Sequence, residues 1–67
     1  MKSWQLTVWR NKEKVHSVNL RHGTLLWAHA EAQLDGKPTD DAVVESATNL
    51  VMEAFAADES SSVEVEV

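Results

Sequence analysis

The hydrophobic pattern of this chain changes period twice, and that alone restricts it to a mixed architecture. Trp4, Leu6 and Val8 alternate with Gln5, Thr7 and Trp9, and Val18 and Leu20 alternate with Ser17, Asn19 and Arg21. From Thr24 onward apolar residues recur at spacings of three and four, and from Val63 to Val67 they alternate again. A period of two puts apolar groups on one face of a strand, and a period near 3.6 puts them on one stripe of a helix. The pattern therefore predicts an α+β fold: an antiparallel β-hairpin, then two helices, then a short alternating segment.

The hairpin is expected over residues 3–21, with Asn11-Lys12-Glu13-Lys14 as its polar turn region. Residues directly opposite one another share a face, so the even set Trp4/Leu6/Val8 has to pair with the even set Val18/Leu20. A plain loop of two or four residues pairs even with odd positions and turns Val18 and Leu20 outward. A three-residue loop, Asn11 to Glu13, pairs Leu6 with Val18 and Trp4 with Leu20, and sets Trp9 against Val15 on the outer face. A five-residue loop also satisfies parity but loses that outer pair, so three is the expected length.

Gly23-Thr24 ends the hairpin, and Thr24 is the expected N-cap of a first helix over residues 24–34. Leu26, Trp27, Ala30 and Leu34 fall on one of its faces, with His29 and Glu31 off it. Gly36 suits a left-handed position after that helix, and Pro38 cannot continue it. Thr39 is the expected cap of a second helix over 40–57, with Asp40 and Asp41 placed favourably in its first turn. Val43, Val44, Ala47, Leu50, Val51, Ala54 and Phe55 form its buried stripe, and a short connection makes the two helices an antiparallel hairpin. The expected organisation is one compact domain over residues 1–59 and an acidic C-terminal segment over 60–67. The strict Val/Glu alternation of that segment favours a third strand, in this molecule or a partner's, over an unordered tail.

With 67 residues and no cysteine, the chain has neither a disulfide framework nor a thiolate metal site to supplement its core. A core of this size supplies only about 3–5 kcal/mol, so a homodimer is a second expectation. No apolar run approaches a bilayer span, and the N-terminus alternates polar with apolar, which predicts a cytoplasmic protein without membrane contact.

Charge is divided along the chain. Residues 1–22 carry Lys2, Arg10, Lys12, Lys14 and Arg21 against Glu13, whereas the rest carries the other ten carboxylates against Lys37, for a net charge of −5. A basic sheet and acidic helices follow, giving two unlike surfaces. Phosphate-binding glycine loops, nucleophile elbows and metalloprotease spacings are all absent, and His16, His22 and His29 lack metal-ligand spacing. Neither a catalytic residue, a cofactor nor a metal is therefore expected, and the chain is not expected to be an enzyme.

The expected function is that of a small acidic protein-binding module, acting stoichiometrically as an inhibitor, adaptor or regulator of a larger protein or complex. Proteins of this kind include some encoded by phages and mobile elements, an association of type and not of site. Trp9, Arg10 and Lys12 form one candidate partner surface, because Trp and Arg dominate binding hot spots. Asp40, Asp41, Glu45 and Glu53 form the other, suited to a cationic groove on the partner. The alternative is nucleic-acid binding through the basic hairpin, with Trp9 stacking on an unpaired base.

Overall fold

The computed structural model describes residues 2–56 and 59–67. Strands β1 (Ser3–Arg10), β2 (Glu13–Arg21) and β3 (Ser61–Glu66) form one antiparallel sheet in the order β2-β1-β3, with helices α1 (Leu25–Ala32) and α2 (Asp40–Phe55) between β2 and β3 in the chain. The fold is α+β, and the C-terminal segment supplies a third strand within the molecule. Residue 57, assigned above to the second helix, lies outside the described residues.

β1 is central because its even-numbered residues are its apolar ones. Trp4, Leu6 and Val8 are buried beneath the helices, joined by Leu20, Trp27, Ala30, Val43, Val44, Ala47, Val51 and Ala56. Leu6 pairs with Val18 on one side and Val65 on the other, and Trp4 pairs with Leu20, so even-numbered apolar residues of the hairpin share the core face as expected. The turn itself differs from expectation. Arg10 pairs with Glu13 around a two-residue turn, and Asn11 (φ 52°) and Lys12 (φ 66°) are both left-handed, as a type I′ turn requires. Parity is restored by a bulge: Trp9 pairs with Lys14 and Val8 with His16, so Val15 is the extra residue and does not pair with Trp9. Burying Val18 and Leu20 is worth more than an uninterrupted ladder at the hairpin tip.

This geometry leaves Lys12 in a conformation that costs a non-glycine residue about 1–2 kcal/mol. Glycine removes that cost but loses about 0.5–1 kcal/mol of backbone entropy. Lys12→Gly is therefore expected to stabilise by about 0.5 kcal/mol, a rise of about 2–4 °C in Tm for a domain this small. An unchanged or lower Tm in a calorimetric scan would reject the assignment of the turn.

Both caps form as the sequence implies. Thr24 Oγ1 accepts from the backbone N–H of Trp27 and Thr39 Oγ1 from that of Ala42, each at 3.2 Å. The helices are shorter than expected at their C-termini: Gln33 caps α1 and Ala56 caps α2. Gly36 (φ 75°) is left-handed, but in the connection and not directly after the helix. Ser46 Oγ donates to the Ala30 carbonyl at 3.0 Å, tying α2 to an acceptor in the last turn of α1. No described helix is long and apolar enough to cross a membrane.

Candidate functional site

The two surfaces expected from the sequence fare differently. Trp9, Arg10 and Lys12 do not converge. Trp9 projects from the sheet face opposite the helices, half-buried, with an indole Nε1 that is shielded from solvent and has no acceptor among the described residues. Thr7 on the same face is buried too, although no helix covers it, so the neighbouring side chains pack over it. Arg10 is engaged structurally: its Nε donates to Ser61 Oγ at 3.3 Å and its Nη2 to the Phe55 carbonyl at 3.4 Å. That places a cation at the C-terminus of α2, where it satisfies a terminal carbonyl and opposes the helix dipole. Lys12 remains exposed at the turn.

The expectation of a basic sheet and acidic helices also needs correction. Glu64 pairs with Thr7 and Glu66 with Gln5, which puts both carboxylates on the open sheet face. Across β1 on that face lie Lys14 and Arg21, paired with Trp9 and Ser3. The open face is thus acidic along β3 and basic along β2, and pairing between distant segments produced that mixture.

The acidic residues are better grouped. Asp40 lies beside His22, whose Nε2 is 3.2 Å from its Oδ1, and both side chains are about half exposed. The His22 ring in turn sits 4.1 Å from that of Trp27, which stacks on Trp4 at 5.5 Å and 25°. This joint binds the end of β2 to the starts of both helices, and it is exposed enough that the His22–Asp40 contact contributes little alone. Asp41, Glu45 and Glu53 remain exposed on α2, a helix with four carboxylates and no cation.

Glu45 and Glu53 line a common groove of about 420 Å³ between α2 and the end of α1, together with Gln33, Leu34, Ser46 and Asn49. Glu45, Asn49 and Glu53 are spaced by four, so they follow one side of α2 and the two carboxylates lie about 12 Å apart along its axis. Neither has an ion-pair partner among the described residues. Gln33, Ser46 and Asn49 are not marked by residue type in the sequence, although Glu45, Asn49 and Glu53 follow one another at a spacing of four. The contribution of α1 was not, because it depends on how the helices cross.

The groove offers carboxylates, amides and a hydroxyl, a set that accepts and donates hydrogen bonds and attracts cations. No group of three or more His, Cys, Asp or Glu side chains among the described residues could hold a metal ion. No family model, curated protein or solved structure matches the chain, so its functional reading rests on this geometry.

Proposed function

We propose that this chain is a small acidic, non-catalytic module that binds a basic surface of a larger protein and acts stoichiometrically as an inhibitor, adaptor or regulator. The observation that carries the reading is the pair Glu45 and Glu53, both exposed across one groove on a helix without a cation. Two uncompensated carboxylates about 12 Å apart can each meet a Lys or Arg of a partner. The amides of Gln33 and Asn49 between and beside them would fix its orientation. Uncompensated charge also speeds encounter with a cationic partner.

The nucleic-acid alternative has less support. Arg10 is held by Ser61 and Phe55, the Trp9 indole is partly covered, and Glu64 and Glu66 share the open face with Lys14 and Arg21.

The test is affinity capture from the source lysate, with and without nuclease, using the wild type and Glu45→Lys/Glu53→Lys. Both positions are exposed, so the double variant is expected to fold normally. A stoichiometric protein should be recovered with or without nuclease, and the charge reversal should reduce its recovery about tenfold or more. Equal recovery by the double variant would sink the acidic groove as the contact. Loss of all captured material on nuclease treatment would transfer the function to the basic hairpin.

A further inference from the structure

The two edges of the sheet are not equivalent. β3 carries Glu64 and Glu66 on its open face, so two β3 edges paired antiparallel about Val65 would set carboxylate against carboxylate. Such charges are a standard guard against edge-to-edge association. The β2 edge lacks them. Between His16 and Leu20 it carries no Asp, Glu, Lys or Arg, and the bulge confines its irregularity to the stretch before His16.

On the helix side of the sheet, β2 also borders an apolar groove of about 380 Å³, walled by Val18, Leu26, Leu50, Val51 and Phe55, with His29 on its rim. Phe55 is 42% exposed, high for an aromatic ring beside a core. Val18 belongs both to the free edge and to this groove.

We infer that the β2 edge and this groove together form a homodimer interface, with β2 of one copy paired antiparallel to β2 of a second about a two-fold axis at Val18. The result is a continuous six-stranded sheet with all helices on one side. Parity permits this register: Val18 faces Val18 of the second copy, Ser17 faces Asn19, and His16 faces Leu20, so apolar side chains stay on the helix side. A two-fold axis makes one patch serve both copies.

The charge division supports a second copy as the occupant. Antiparallel pairing brings the tip of each hairpin, where Lys12 and Lys14 outnumber Glu13, towards the corner of the other copy where α2 begins with Asp40 and Asp41 beside His22; Arg21 also lies at that corner. Size supports it as well. A stable dimer buries about 600 Å² or more per copy, close to an eighth of the 4827 Å² surface. A five-residue strand edge about 17 Å long and 5 Å wide falls well short of that, so the interface has to include the groove. The inference is independent of the acidic-groove reading, which concerns Glu45 and Glu53 on a different groove.

The test is sedimentation equilibrium of the whole chain from about 5 to 500 µM, a range in which a modest interface dissociates. It is combined with amide hydrogen exchange of the wild type at both ends of that range. A monomer–dimer equilibrium is expected, with exchange at alternate amides of residues 16–20 slowing about tenfold or more at high concentration. Ser17→Lys and Phe55→Glu, each checked for a native amide spectrum, should be monomeric throughout, whereas Glu64→Lys should dimerise as the wild type does. A wild type that stays monomeric would overturn the inference, leaving the groove to another occupant. So would a dimer that survives both substitutions, or protection that rises with concentration on β3 and not on β2.

Discussion

Trp27→Ala is expected to leave most molecules unfolded at 25 °C. Trp27 is 4% exposed and stacks on Trp4, itself 5% exposed, so its ring lies between α1 and the central strand. Truncating a buried tryptophan to alanine costs about 3–5 kcal/mol. A core of this size supplies about the same amount in total, so the substitution consumes the whole margin. The loss also spreads, because His22 packs on Trp27 and holds Asp40 at the first turn of α2. Urea titration followed by circular dichroism should show no folded baseline for the variant. Leu25→Ala, two positions away but 81% exposed, should shift the wild-type midpoint by no more than about 0.5 kcal/mol. A Trp27→Ala protein that still melts cooperatively, having lost less than about 1.5 kcal/mol, would mean that the Trp4–Trp27 stack is not the centre of the core.

Deleting residues 61–67 is the second large effect. An acidic terminal strand serving only as an assembly device could be removed with loss of the oligomer alone. Here β3 pairs with β1 from Gln5 to Arg10, Val63 packs against the core, and Ser61 accepts from Arg10. The deletion turns the strand carrying Trp4, Leu6 and Val8 into a bare edge with unpaired backbone groups, a template for aggregation. A partly buried valine alone contributes about 1 kcal/mol, and six ladder positions are lost with it. The truncated chain is expected to be aggregated or to lack near-ultraviolet structure, and a synthetic peptide of sequence Ser-Ser-Val-Glu-Val-Glu-Val should restore the native spectrum. A scrambled peptide should not. A truncated chain that gives a dispersed native spectrum unaided would show that β3 is dispensable for the monomer.

The core was legible because its determinants are local periods. Trp4, Leu6, Val8, Val18 and Leu20 declare one face of a hairpin by alternation, and Val43, Val44, Ala47 and Val51 declare one stripe of α2. The capping threonines were legible for the same reason, since a cap depends on residues three apart. The turn was not. Its two-residue geometry required positive φ at Lys12, which its residue type does not advertise, and the bulge at Val15 that rescues the register has no signature of its own. Alternation marked Val63 to Val67 as a strand but could not say which strand would receive it.

The candidate site divides in the same way. Glu45 and Glu53 could be named as acidic residues on one helix, and their exposure follows from the apolar stripe opposite them. The groove they share needed the end of α1 alongside, which side-chain contacts such as Ser46 to Ala30 establish. Arg10 looked like a binding residue by type, yet it is held against α2 and β3, segments about fifty positions away in the chain.

What the sequence alone determined is the set of elements and their buried faces, because backbone period, caps and breakers act over a few residues. The tertiary structure alone decided the partners of those faces: β3 beside β1, Glu64 and Glu66 on one open face with Lys14 and Arg21 of β2, Arg10 at the end of α2, and the charge-free stretch His16–Leu20 of the β2 edge left open beside an apolar groove. Those outcomes depend on which distant surfaces bury one another with their polar groups satisfied, a choice made by the whole chain at once.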